Sequence, residues 1–102
     1  MELLKEMYEN TYEYPKYCTN YVKRELVRLI EFFESGETRK TYIEEYIEEM
    51  VYELNDIQEI FWNGESDIDD FASKCILNEI TNIIQKYRDD INIEQVLRHR
   101  RW

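Results

Sequence analysis

The sequence predicts an all-α protein: a bundle of three long antiparallel helices with a short helix at each end, forming one domain over residues 1–102. Three observations lead there. Two glycines, Gly36 and Gly64, and one proline, Pro15, supply too little turn chemistry for many short strands. Apolar residues recur at steps of three and four over long stretches, the period of a helix face. Helix start and stop signals fall at the ends of those stretches. A chain of this length buries roughly 60 to 65% of its unfolded surface, so one core can hold it without disulfides or structural metal.

The first 21 residues carry Tyr8, Tyr12, Tyr14, Tyr17 and Tyr21. Pro15 pushes Tyr14 out of helical geometry, which predicts a short helix, a bend and then a long helix. Val22, Leu26, Leu29, Ile30 and Phe33 form the apolar face of that long helix, and Gly36 sits where a C-cap belongs. The second long helix is predicted to begin at Thr41, where Thr41 and Glu44 spell a capping box. Its seam is Ile43, Ile47, Met50, Leu54, Ile57 and Phe61, and Asn63-Gly64 ends it.

For the third long helix Ser66 or Asp67 is the expected cap, with Asp69 and Asp70 in the first turn at the positive end of the dipole. Its buried side reads Ile68, Phe71, Ala72, Cys75, Ile76, Ile80, Ile83, Ile84 and Tyr87, running to about Arg88. Asp89-Asp90 loosens the chain. Asn92 and Gln95 then offer a box for a short final helix with Ile93, Val96 and Leu97, before the basic ending RHRRW.

The opening MELLKEMYEN is acidic and lacks the basic start and apolar run of a secretory signal, and Cys18 and Cys75 show no metal or redox spacing. A cytoplasmic protein is expected. Charges interrupt every hydrophobic segment, so no membrane span is expected either.

Charge placement is the most informative feature. Residues 41–70 hold eleven acids and no Lys or Arg, while the other 72 residues hold 12 acids against 13 bases. The net charge of −10 therefore lies in one helix and the turn after it. A solvated face is the ordinary meaning of such a run. Yet glutamates at i, i+4, such as Glu44 with Glu48 and Glu45 with Glu49, repel by a few tenths of a kcal/mol per pair. A cationic partner offsets that cost, which marks Glu44, Glu45, Glu48, Glu49, Glu53 and Asp56 as a candidate surface for a basic protein. The same field repels nucleic acid. The tyrosines are interface candidates on one reading and seal the bundle's edge on the other.

Two metal readings compete. FWNGESDIDDF, residues 61–71, resembles a calcium loop in its acid content, but Gly64 precedes the acids and an EF-hand needs the reverse order. Glu44-Glu45-x-x-Glu48 followed by Asp67-x-x-Asp70 resembles the EExxE…ExxD arrangement of magnesium-dependent all-α nucleoside triphosphate pyrophosphatases. That resemblance implies Glu45, Glu48, Asp67 and Asp70 as magnesium ligands. The second motif departs from the pattern, being DxxD, and an acid-rich helix yields EExxE readily.

Nucleophilic chemistry finds little support. His99 is the single histidine and lies in RHRRW. Cys75 falls on an apolar face, and Cys18 reads as an exposed thiol with no base beside it. RHRRW is short and belongs to an acidic protein, so nucleic-acid binding through it alone is expected to be weak. Its arginines suit the negative end of the last helix, and Trp102 suits packing on the bundle or on a second copy.

The string NDIQEIFWNGESDID (Asn55 to Asp69), with Tyr14-Pro15 near the start and the Arg-Trp ending, resembles a bacterial domain-of-unknown-function family of small proteins. The resemblance spans nearly the whole chain. It implies a compact helical cytosolic protein without assigned substrate, cofactor or catalytic residues. The leading functional expectation is a non-enzymatic interaction module, immunity- or antitoxin-like in form, that binds a basic protein through the acidic helix. The alternative is the magnesium-dependent pyrophosphatase, and a homodimer is compatible with either.

Overall fold

The computed structural model describes residues 2–102. Five helices follow in order: α1 (Lys5–Tyr8), α2 (Lys16–Glu34), α3 (Lys40–Asn63), α4 (Asp70–Tyr87) and α5 (Ile93–Val96). There is no strand among the described residues. α2 is the hub, packing against α1, α3 and α4, and α5 packs on α3. No helix among the described residues is long and apolar enough to cross a membrane.

Pro15 stands at the N-cap of α2, where its fixed φ of −51° enters the helix and its missing N–H costs nothing. From α2, Val22, Leu26, Leu29 and Phe33 are buried, and Cys18 and Thr19 extend the stripe by a turn. The expected exposure of Cys18 is thus corrected: it lies four residues before Val22 on the same face, fully buried. Gly36 follows the last turn at φ +92°, the left-handed conformation a helix stop calls for.

The capping box predicted at Thr41 does not form. α3 begins one residue earlier, its N-cap Arg39 makes no side-chain cap, and Thr41 already lies within the first turn. Glu37 organises this entry instead, accepting the backbone N–H of Thr38 and Arg39 at 3.1 and 3.0 Å and gripping the Arg39 guanidinium. The Arg39 side chain first, and then these backbone donors, hold the Glu37 carboxyl down to about 2. The seam of α3 is buried throughout, joined by Val51 and Gln58.

Asp69 caps α4, not Ser66 or Asp67. Its Oδ1 accepts the Ala72 N–H at 2.9 Å and the Tyr14 hydroxyl at 2.6 Å. The other two are engaged elsewhere: Ser66 donates to the Glu13 carbonyl, and Asp67 accepts the Trp62 indole N–H at 2.8 Å. Ile68, between Asp67 and Asp69 in the chain, is buried, its N–H held by Gln58 Oε1 at 2.8 Å. Phe71, expected on the buried side, stands 51% exposed, stacked on Tyr14. With the stripe running through Ala72, Ile76, Ile80, Ile83 and Ile84, position 71 is about 100° off it. Cys75 and Tyr87 are only half-buried.

Candidate functional site

The 24 residues of α3 place five of the six predicted acids toward solvent or on its margins, with no ion pair among the described residues. Glu45, Glu49, Glu53 and Asp56 are exposed, and Glu44 and Glu48 are half-buried on one flank. Buried seam residues at steps of three and four turn these positions outward, because the remaining positions of the same helix have nowhere else to point. Glu59 and Tyr52 lie exposed among them. Glu48 is the exception to the unpaired set, meeting Arg98 at 3.0 Å.

That ion pair belongs to a larger contact the sequence did not reveal. The basic C-terminal segment lies along one flank of α3. Asn55 donates through Nδ2 to the His99 carbonyl at 3.0 Å and accepts the Arg101 N–H on Oδ1 at 2.8 Å. The His99 ring lies over Tyr52, centroids 5.7 Å apart and planes 19° off parallel. Trp102 is buried, as its expected packing on the bundle requires. The one available signal was Asn55, a side chain with both donor and acceptor at the edge of a helix otherwise acidic there.

On the α2 side of the ridge, Glu25 is buried at 8% exposure and meets Arg28 at 3.1 Å. Desolvation raises its carboxyl above the usual range, Arg28 opposes the shift, and Glu53 adds to it. Burial likewise raises the Tyr46 hydroxyl, with Glu25 contributing.

The turn after α3 carries Glu65, Asp67 and Asp69 around a cavity of about 590 Å³, also lined by Tyr12, Glu13 and Tyr14. Two of its carboxylates are already engaged as caps and hydrogen-bond partners. The magnesium quartet is not brought together. Glu48 lies fourteen residues before Trp62, about 21 Å along the helix axis, and Asp67 is tied to Trp62. Glu45 is farther still. No group of three or more His, Cys, Asp or Glu among the described residues is arranged to hold a metal ion. The thiols offer no activated nucleophile, since desolvation pushes both Cys18 and Cys75 up.

Fold and surface together define a small all-helical protein whose main charged feature is an acidic ridge, with a basic segment of the same chain docked on one flank. The chain belongs to DUF5713, a family of unknown function, whose model matches residues 1–102. No curated protein and no solved structure gives a match.

Proposed function

We propose that the chain is a non-enzymatic interaction module that engages a basic protein through the outer face of α3, with Glu44, Glu45, Glu48, Glu49, Glu53 and Asp56 as the contact set. On this reading the three long helices act as an antiparallel bundle holding the ridge rigid. An immunity- or antitoxin-like inhibitor in a bacterial cytoplasm is its concrete form, because a small acidic protein can cover a basic active surface.

One observation supports it above the rest: five of the six carboxylates carry no ion pair among the described residues, although Lys and Arg make up 13 of the chain's residues. Mutual repulsion along a helix is unfavourable in the free protein and becomes favourable against a cationic surface. The magnesium-dependent alternative needs Glu45, Glu48, Asp67 and Asp70 around one ion, and an axial separation of about 21 Å argues against it.

The test is affinity capture from the native host followed by binding of the purified partner. A basic protein is expected, bound more weakly as salt rises and when Glu44, Glu45, Glu48 and Glu49 are changed to Gln. Binding indifferent to both salt and these changes overturns the reading. A nucleotide panel with magnesium is expected to show no pyrophosphate release, and turnover abolished by Glu48→Gln would restore the enzyme.

A further inference from the structure

A cavity of about 690 Å³ lies away from the acidic ridge's centre, between α4 and the segment from α5 onward. Its walls combine Leu77 of α4 with Leu97 and Trp102, and Arg98, Arg100 and Arg101 line it against one carboxylate, Glu94. In a chain of net charge −10 this is a local reversal of sign.

Of these three arginines, Arg101 has a guanidinium that the fold leaves unused. α5 is a single turn of four residues, so its dipole calls for little compensating charge. Arg98 is engaged by Glu48 at 3.0 Å. Arg100 is steadied by the Trp102 backbone oxygen and, at 3.4 Å, by Ser73 Oγ. The Arg101 backbone is pinned by Asn55, yet its guanidinium has no ion pair among the described residues. The indole N–H of Trp102, in the wall of the same cavity, is buried without a partner.

We propose that this groove binds a small organic oxyanion, a carboxylate or phosphate monoester joined to an aryl or alkyl group. Arg101 takes the charged head, since a guanidinium fork matches two oxygens of either group, and Arg100, held by the Trp102 backbone oxygen, adds positive charge beside it. Leu77, Leu97 and Trp102 take the apolar part, and a cavity of this size suits a metabolite-sized ligand. The apolar walls are what distinguish such a ligand from free inorganic phosphate. The site meets the ridge only at the Arg98–Glu48 pair, and its test does not call on the ridge's partner.

Trp102 provides the readout. In a Trp62→Phe background it is the sole indole. Its emission is titrated with phenyl phosphate, 4-phenylbutyrate, inorganic phosphate and acetate. At least one aromatic probe is expected to give a saturable shift, about ten-fold tighter than its inorganic or short-chain counterpart, and the better of the two identifies the head group. Arg101→Gln is expected to weaken that binding about ten-fold with the unfolding midpoint unchanged, and Arg101→Lys to restore it only in part. No saturable response to either aromatic probe, equal affinity for inorganic phosphate, or an unaffected Arg101→Gln variant each overturns the proposal.

Discussion

The Tyr14 hydroxyl donates to Asp69 Oδ1 at 2.6 Å, tying the bend before α2 to the N-cap of α4 across 55 residues of chain. The same carboxylate oxygen accepts the Ala72 N–H, so a local cap and a long-range contact share one atom. Tyr14→Phe is expected to cost about 1 kcal/mol, and Asp69→Ala about 2 kcal/mol because cap and tyrosine partner are both lost. Burial first, and then Asp69, push the Tyr14 hydroxyl far above its ordinary value of 10. A group raised in the folded state contributes stability that is complete below its unfolded value and declines as pH climbs past it. Urea midpoints measured from pH 8 to 11 are expected to fall above about pH 10, less steeply in Tyr14→Phe than in the parent.

Glu25 carries the opposite kind of burden. Its carboxyl is raised chiefly by desolvation, so near neutral pH the fold keeps a charge it would rather lose. The protonated form favours folding, and that advantage disappears as pH rises through the folded value. Glu25→Gln is expected to leave stability at pH 7 unchanged or improved within about 1 kcal/mol, because Arg28 remains solvated. The advantage over the parent is expected to vanish below about pH 4.5, the ordinary value. Chemical denaturation at pH 4 and pH 7 checks both points.

The two glycines separate backbone strain from steric room. Gly36 has open space around it but holds φ +92°, so Gly36→Ala is expected to cost about 1–2 kcal/mol. Gly64 has an ordinary negative φ, and an added Cβ there meets the Tyr17 hydroxyl, the tip of a half-exposed side chain that can swing aside. Gly64→Ala is expected to cost under about 1 kcal/mol, because losing glycine's unfolded-state freedom offsets part of the displacement. Thermal unfolding of both variants decides the order.

The seam of α3 from Ile43 to Phe61 was legible because a helix face repeats at a fixed period whatever it packs against. Caps were less legible, since several polar residues compete and tertiary partners choose among them. Thr41 and Glu44 satisfy the local pattern, but Glu37 organises the entry to α3; Ser66 and Asp67 satisfy it too, but Glu13 and Trp62 claim them. Phe71 is apolar enough to suggest burial, but its angle from the Ala72–Ile76–Ile80 stripe turns it to solvent. In the candidate site, the acids of α3 are visible as a group in the sequence, while the docking of residues 98–102 on its flank is not. Asn55 and His99 are 44 residues apart, and no periodicity connects them.

Asn55 is expected to govern that docking. Its side chain satisfies one backbone carbonyl and one backbone N–H in a segment with no regular structure of its own beyond α5. Asn55→Ala is expected to cost about 1–2 kcal/mol and to loosen the segment locally. In the Trp62→Phe background Trp102 emission should move to the red, and trypsin should cut within residues 98–101 sooner, while the core stays protected. Asn55→Asp keeps the acceptor for the Arg101 N–H but loses the donor to His99, so an intermediate effect is expected.

The ridge itself should lower the stability of the free protein. Glu45, Glu49 and Glu53 follow one another at steps of four on the exposed side of α3 without a base between them, and such pairs repel by about 0.2–0.5 kcal/mol each. Changing Glu45 and Glu49 to Gln together is therefore expected to stabilise the isolated chain by about 0.5–1 kcal/mol at low ionic strength. The gain should shrink as salt is added, because these side chains stand in water and their repulsion is screened. Glu48→Gln is the control: it breaks the pair with Arg98, so little or no gain is expected. Urea midpoints at low and high salt separate the cases. A double variant no more stable than the parent at low salt would mean that the ridge carries no electrostatic cost, and would remove the reason for expecting a cationic partner to relieve it.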